Sequence, residues 1–245
     1  NVTDWEKIVG TNQPYDLEVL RGRECIASID YASIRDFVAC GLMFVKEGKY
    51  ILPKELTQSF VCKPFVDKHY GYSREKSQGN GKKDHRKFAP IKEWEDDGLI
   101  TVLNKDSMDP FLVVQWFVDR RDEGWNIKKV IGDSFRMEIL KPIFENEGFE
   151  VEVIRNPDAA AALLAPRIEL GFDEGDIIWG DNPMQRWYTN NVLVQFNPRG
   201  EKVYRKKEKT KRKTDGFMMF LYAMWASRDL EEYHAGDALD IMGSM

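Results

Sequence analysis

The stretch ECIASIDYASIRDFVACGLMFVKEGKYILPKEL, residues 24–56, decides the fold of this chain. It contains three short apolar segments in succession, at residues 25–31, 37–46 and 50–56. Turn residues such as Glu47 and Gly48 separate these segments, which predicts three successive antiparallel strands. Because proline has no backbone N–H, Pro53 places the third strand at a sheet edge or a bulge.

Downstream of this stretch, the pattern changes to an alternation of strands and helices. Residues 58–98 mix aromatic, basic and glycine residues and predict an excursion rather than a core element, with helix resuming at 93–97. A strand at 99–103 and a helix from Asp109 to about Asp122 follow. Apolar strands at 127–131 and 149–154 then alternate with helices at 135–147 and 157–170. The prediction is an α/β fold, in which a mixed sheet of three antiparallel strands followed by parallel strands is flanked by helices. Weaker strand candidates occur at 176–179 and 192–196, and an apolar helix occupies 215 to about 228.

Composition restricts the class of protein. The 245 residues are 42% apolar and 31% charged, which is typical of a globular domain. The longest apolar run, residues 217–226, is about half of the ~20 residues that a membrane-spanning helix needs. Three widely separated cysteines argue against a disulfide framework and favour a reducing, intracellular compartment. The first residue is Asn rather than Met and no secretory signal follows it, so we expect a fragment or a processed product.

The charges are segregated along the chain although the net charge is −5. Residues 68–87 carry +5 and residues 199–213 carry +7, which leaves −17 on the rest. Two basic segments on an acidic body are suited to contact a phosphate backbone, while the acidic body concentrates carboxylates for metal ions. The alternative is that both segments are solvated loops without a partner.

Three aspartates occupy positions that favour chemistry over packing. Asp30 ends the first strand, Asp133 follows the parallel strand KVIG, and Asp215 opens the last apolar helix. If the strands that carry Asp30 and Asp133 are neighbours, the three acids meet and supply the carboxylate ligands that two divalent ions share. Each acid also has a structural alternative: an Asx turn for Asp30, a helix N-cap for Asp133, and an N-cap or first-turn acid for Asp215.

The order of motifs resembles the nuclease domain of the large terminase subunit of tailed bacteriophages. The similar segments are IDYASIRD at 29–36, IKEWEDDGLIT at 91–101, GDNPMQRW at 180–187, NNV at 190–192 and KTDG at 213–216. Asp133 takes the place of the family's strand-end aspartate, although Ser134 and Phe135 replace its usual proline and tryptophan. The chain contains no phosphate-binding loop of the type that an ATPase motor requires.

This resemblance implies a ribonuclease H-like fold and a metal-dependent endonuclease that cuts double-stranded DNA with little sequence specificity during genome packaging. Asp30, Asp133 and Asp215 are then the catalytic metal ligands for two Mg²⁺ or Mn²⁺ ions, with Asp36 and Asp181 as supplementary acids. The expected organisation is a lead-in from a motor domain at 1–23, the nuclease domain at 24–228 and an acidic tail at 229–245.

DNA-binding candidates come from the basic segments and the GDNPMQRW motif. They are Lys82, Lys83, Arg86, Lys87, Arg186, Lys206, Lys207, Lys211, Arg212 and Lys213. The resemblance also implies the ATPase motor domain, the small terminase subunit and the portal as partners, in the cytoplasm of the host cell. No membrane partner is expected.

Two other functions remain open from the sequence. One is a DNA-binding or packaging scaffold of the same fold in which the aspartates only cap helices and turns. The other is a nuclease of the resolvase or transposase type, against which the GDNPMQRW and KTDG motifs argue.

Overall fold

The computed structural model describes residues 1–34, 36–73, 89–208 and 210–230. The strands are β1 (Glu24–Asp30), β2 (Val38–Lys46), β3 (Lys49–Ile51), β4 (Thr57–Cys62), β5 (Ile100–Leu103), β6 (Asn126–Asp133), β7 (Val151–Ile154), β8 (Ile177–Ile178), β9 (Val192–Phe196) and β10 (Lys202–Lys206). The helices are α1 (Trp5–Val9), α2 (Leu17–Leu20), α3 (Lys63–Tyr70), α4 (Ile91–Asp96), α5 (Pro110–Asp122), α6 (Ser134–Asn146), α7 (Pro157–Glu174), α8 (Pro183–Asn190) and α9 (Asp215–Ala226). Short 3-10 helices occupy Lys54–Leu56 and Ser227–Asp229. Within the described ranges, no helix has the length and apolar character needed to cross a membrane.

A mixed sheet forms the centre of the molecule, in the order β5-β4-β2-β1-β6-β7. β2 lies antiparallel to β1 and to β4, whereas β6 lies parallel to both β1 and β7. The predicted α/β class and the mixed sheet are therefore confirmed, and so is the expected adjacency of the first strand and the strand that ends at Asp133.

The third antiparallel strand is shorter than predicted. In the predicted segment, Lys49–Ile51 forms a strand that pairs antiparallel with the end of β2 and parallel with β8, and it belongs to the same sheet. The sequence missed β4, which lies largely inside residues 58–98, where an excursion was predicted. β4 carries the buried Phe60 and Val61 between β2 and β5, and it leads directly into α3. Hydrogen bonding to β2 on one side and to β5 on the other stabilises β4 as a strand, although its apolar pattern is weak.

Five of the described helices begin at a side chain that accepts a hydrogen bond from the first turn, and Asp16 is the acceptor for α2. Asp109, Asn156 and Asn182 each precede a proline at the start of α5, α7 and α8, and Asp133 caps α6. Such caps satisfy backbone donors that have no partner within the helix. α7 continues to Glu174, beyond the predicted end near residue 170, and ends at Gly175 with φ of 75°.

The core lies on both faces of the sheet. One cluster packs α7, α8 and α9 against it, and the other packs α5 and α6 against the opposite face. α9 crosses β1, β2 and β6, and its Phe217, Phe220 and Leu221 are fully buried. Cys25, Cys40 and Cys62 are buried free thiols in the second cluster. A separate two-stranded sheet of β9 and β10 lies against α7.

Candidate active site

Two aspartates meet where β1 and β6 end. The strands are parallel, and Ser28 pairs with Ile131, two residues before Asp30 and Asp133 respectively. Because the carboxyl ends of parallel neighbours lie at one edge of a sheet, both acids project from that edge. Their positions follow from strand register rather than from their distance in the sequence.

α9 presents the third aspartate to the same edge. The Ser28 hydroxyl of β1 donates to the Met219 carbonyl at 2.9 Å, which fixes the helix over the strand. The side-chain amide of Gln185 donates to the Gly216 carbonyl at 3.0 Å, and that of Asn191 donates to the Lys213 carbonyl at 3.0 Å. Gly216, which follows Asp215, is thus bonded to α8, and Lys213, which precedes Asp215 by two residues, is bonded to the C-cap residue of α8.

The electrostatics of Asp30 and Asp215 reveal a cluster of interacting acids. Burial raises the pKa of Asp30 well above its usual range, and the charges of Asp215 and Asp133 raise it further while Lys206 opposes them. Burial also raises the pKa of Asp215 to about 7, with Asp36 adding to the shift and Lys206 and Lys213 opposing it. Neighbouring carboxylates that cannot all be ionised at low cost favour a proton or a cation between them.

Asp215 has one carboxylate oxygen without a partner. The residue is 3% exposed, and its buried Oδ2 accepts no hydrogen bond from the residues that the structure describes. Asp215 is the first residue of α9, whereas Thr214 holds the N-cap position and makes no side-chain cap. A buried oxygen of this kind is costly unless something binds it.

Asp36 joins the cluster through two lysines. Its carboxylate lies 2.5 Å from Lys206 Nζ and 2.9 Å from Lys213 Nζ, and Lys206 Nζ is also 3.8 Å from Asp215 Oδ1. Burial would raise the pKa of Asp36, but the charges and hydrogen bonds of both lysines outweigh burial and lower it. Two residues predicted as DNA contacts therefore lie among the acids.

Asp133 is a helix N-cap, which is the structural alternative that the sequence offered for it. Its side chain accepts a hydrogen bond from the Arg136 backbone at 3.0 Å and caps α6. Arg136 in turn donates to the Tyr31 carbonyl at 2.6 Å, just beyond β1. The cap leaves the second carboxylate oxygen available, so capping and ligand binding are compatible at this residue.

The acid cluster has the donor chemistry of a divalent-ion site without, in the described part of the chain, a preformed metal-binding group. Among the described residues, no three His, Cys, Asp or Glu side chains are close enough together to form a metal-binding group. The donor chemistry nevertheless suits Mg²⁺ or Mn²⁺, because these acids are hard oxygen ligands and Asp215 Oδ2 lacks a partner. The structure therefore shows an electrostatic cluster of the appropriate chemistry, in which two lysines supply the positive charge.

Asp181 and Arg186 pair with each other. Arg186 donates to Asp181 at 2.6 Å and to the Gly180 carbonyl at 3.1 Å, and the first of these bonds lowers the pKa of Asp181. The Asp181 side chain is 73% exposed. The two residues thus form an ion pair at the start of α8, in which the Asp181 carboxylate is exposed and Arg186 is largely buried.

Of the other DNA-binding candidates, four lie in the described part of the chain and four lie outside it. Lys207 donates to the Asn190 carbonyl, Lys211 and Arg212 follow β10, and Lys213 has a side chain that is only 2% exposed. Lys82, Lys83, Arg86 and Lys87 lie outside the described residues.

Sequence reasoning missed the residues that hold Asp215 in place. Tyr188 packs against Gly216, shares a hydrogen bond with Ser59 at 3.0 Å and is buried. Burial raises the pKa of Tyr222 on α9 well above its usual range, and the nearby Asp30 and Asp133 raise it further. The GDNPMQRW motif marked the segment that carries Gln185, but its role needed the packing of α8 on α9.

Comparisons with known proteins add structural relatives only. No protein-family model and no curated protein sequence matches the chain. The fold superposes on the large terminase of bacteriophage HK97 with a TM-score of 0.73 and 14% identity, over 92% of this chain and 43% of that one. It also superposes on the large terminase nuclease of the thermophilic phage G20c, with a TM-score of 0.53 and 10% identity over 89% of this chain and 96% of that one. A magnesium-bound structure of the same nuclease gives a TM-score of 0.52 and 9% identity, over 90% and 96% of the two chains.

This chain thus spans less than half of the HK97 large terminase and nearly all of the separate G20c nuclease. Over most of its length, the chain has the ribonuclease H-like fold that is shared by phage large terminases and their separate nuclease domains.

Proposed function

We propose that this chain is a metal-dependent endonuclease that hydrolyses double-stranded DNA during phage genome packaging, with little sequence specificity. The observation that carries the proposal is the buried Asp215, whose Oδ2 has no partner among the described residues, in an acid cluster with Asp30. Its support is the place of this cluster, at the edge where β1 and β6 end, in a fold shared with terminase nucleases.

The residues divide the work as follows. Asp30 would be the ligand shared by two Mg²⁺ or Mn²⁺ ions, and Asp133 or Asp215 would help to hold the ion that activates water. When bound, the ions supply a water of lowered pKa for attack and stabilise the leaving 3′ oxygen. Asp36 orients Lys206 and Lys213 beside these carboxylates. The rigid placement of Asp215 by Gln185 and Asn191 keeps the acids in position before DNA arrives.

The proposed function also implies a substrate and partner proteins. Double-stranded DNA is the substrate, and an ATPase motor domain, the small terminase subunit and the portal are the proposed partners in the host cytoplasm. In this view residues 24–228 are the nuclease domain, 1–23 a lead-in and 229–245 a tail. Motor, portal and small subunit are proposed from the likeness to large terminases alone.

A non-catalytic DNA-binding scaffold is the second candidate. Two observations favour it: Asp133 caps α6, and Lys206 and Lys213 already neutralise Asp36. A scaffold would lose nothing when the aspartates are replaced, so metal dependence separates the two functions.

Cleavage of supercoiled plasmid tests the proposal. Wild type, Asp30→Asn and Asp215→Asn are incubated with Mg²⁺, Mn²⁺ or EDTA, and circular dichroism verifies that each is folded. Asp173→Asn is the matched control, because it removes an exposed acid whose partner is Lys7, outside the cluster. We expect wild type and the control to cut with metal only, and both cluster variants to lose cleavage.

A second measurement reads metal binding without activity. A ligand that binds only the folded state raises the melting temperature. Mn²⁺ should therefore raise the melting temperatures of wild type and Asp173→Asn and leave those of Asp30→Asn and Asp215→Asn nearly unchanged. If all variants cut equally, the aspartates are not the catalytic ligands and the proposed site is wrong. If none cuts while all bind DNA, the aspartates are structural and the scaffold function replaces the nuclease.

A further inference from the structure

A cavity of about 510 Å³ lies beside the acid cluster. Among the described residues that line it, Lys213 is the one site residue predicted from the sequence. α3 forms one wall, with Phe65, Lys68 and His69, while Asp106 and Thr210 line the other parts. Lys213 is shared between the cavity and the cluster, because its ammonium group also contacts Asp36 at 2.9 Å. Lys213 therefore connects the cavity to the acid cluster.

The walls present positive charge on an aromatic support. Lys213 Nζ lies 4.8 Å from the centre of the Phe65 ring, and the His69 ring lies 4.6 Å from the same ring. Phe65 thus contacts both a buried cation and an imidazole, and the contact with the cation is of the cation–π type. Lys68 is exposed in the last turn of α3 and adds a second ammonium group to the cavity.

The pKa of His69 reflects its burial and the positive charge of the cavity wall. Burial lowers the pKa of His69, and the positive charges of Lys68, Lys213 and Lys211 lower it further. A neutral imidazole still donates one N–H, so His69 can bind an anion without carrying charge. Asp106 is the acid that lines the cavity, and it opposes two ammonium groups.

We propose that this cavity binds a backbone phosphate of the DNA strand, with Lys68 and His69 donating to its oxygens and Lys213 forming the charged floor. The inference rests on the proposed function and extends it by naming where the substrate is held. A phosphate bound here would share Lys213 with Asp36, because Lys213 lines the cavity and contacts the Asp36 carboxylate. Such contacts set the position of the strand and carry no sequence information.

Affinity for a labelled DNA duplex as a function of salt tests the site. Binding of the full chain is measured by fluorescence anisotropy in EDTA, so that cleavage cannot interfere. Each phosphate contact contributes about 0.9 to the slope of log K against log salt. Lys68→Ala should weaken binding about three- to tenfold and lower the slope by about one. His69→Ala should weaken binding with a smaller change of slope, because the imidazole is neutral.

Two further variants make the result specific. Lys49→Ala removes a lysine from β3, at the opposite end of the sheet from Asp30, and should leave affinity and slope unchanged. Asp106→Asn removes the opposing acid and should tighten binding, an effect that loss of structure would not produce. Thermal melts of all variants verify that they are folded.

The outcomes separate this inference from the proposed function. If Lys68→Ala and His69→Ala bind as Lys49→Ala does at every salt concentration, the phosphate site is wrong even though Asp30-dependent cleavage persists. If wild type neither binds nor cuts DNA, both proposals are wrong. Weaker binding by the two α3 variants, together with tighter binding by Asp106→Asn, supports the site.

Discussion

Gly216 shows how closely α8 and α9 approach next to the acid cluster. A Cβ atom at this position would lie 2.2 Å from Tyr188 Cδ2 and 2.7 Å from Gln185 Oε1. Tyr188 cannot easily withdraw, because it is buried and bonded to Ser59. The glycine that follows Asp215 is therefore required by packing, and its φ is not in the left-handed region.

Gly216→Ala should lower the free energy of unfolding by about 1–3 kcal/mol, since an added methyl group in a filled interior forces neighbours to move. It should also reduce cleavage, because the side-chain amide of Gln185 would lose its hydrogen bond to the Gly216 carbonyl. Urea denaturation and plasmid cleavage measure the two effects.

Gly171→Ala provides the matched control within another helix. Its Cβ would meet only the flexible end of Ile177, at 3.1 Å, and alanine favours helix by about 1 kcal/mol over glycine. This variant should be within about 1 kcal/mol of wild type. Equal stability of Gly216→Ala and wild type would mean that the contact between α8 and α9 is loose.

At the scale of elements, one carboxylate connects β7, β6 and the end of α9. Glu152 accepts from Arg228 at 2.7 Å, from Trp225 Nε1 at 3.0 Å and from Lys129 at 3.2 Å. Burial would raise the pKa of Glu152, but these hydrogen bonds outweigh burial and lower it. The side chain is 22% exposed, so the network is only partly screened by solvent.

Glu152→Gln should lower the free energy of unfolding by about 1–2 kcal/mol at pH 7. Because the folded pKa lies below the unfolded value, the stabilisation is present above the ordinary glutamate pKa of 4.5 and is lost as pH falls through the folded value. The difference between wild type and Glu152→Gln should therefore shrink below about pH 4.5. Denaturant titrations between pH 3 and pH 8 measure it.

Glu150→Gln is the control for this pH dependence. Glu150 precedes β7, and its side chain is 68% exposed where it pairs with Lys129 at 3.4 Å. Exposed pairs contribute little, so this variant should follow wild type at every pH. A constant difference for Glu152→Gln across the pH range would show that lost packing, not the charge, is responsible.

At the scale of the whole molecule, the sequence contains a second basic segment, at residues 68–87. Lys82, Lys83, Arg86 and Lys87 lie outside the described residues, so their role remains a prediction from charge. Replacing all four with alanine should weaken DNA binding and lower the salt slope by up to about 0.9 for each lost contact.

An equal loss of charge elsewhere is the control. Alanine at Lys49, Lys54, Lys92 and Lys141 removes four lysines from β3, the 3-10 helix after it, α4 and α6. If the two sets weaken DNA binding equally, only net charge matters and the basic segment is not a contact.

Local sequence was sufficient wherever the decisive interaction is local. The helix that begins after Asp109 was predicted because an acceptor side chain followed by proline specifies a helix start. The helix at 157–170 was predicted from the alternation of apolar strands and helices. Asp30 and Asp215 were singled out because each acid lies at the end of an apolar element. The prediction failed at β4, since a strand held by neighbours on both sides needs little apolar pattern of its own.

The sequence by itself determined the class of fold, the elements with strong local signals and the candidate acids. Tertiary structure alone decided that β1 and β6 are neighbours, that Lys206 and Lys213 face Asp36, and that α8 holds α9. The physical reason is distance along the chain. The β1–β6 register and the ion pairs of Asp36 join residues more than a hundred positions apart, and the contacts of α8 with α9 join residues 22 to 31 positions apart. Their free energy exists only when the chain has folded.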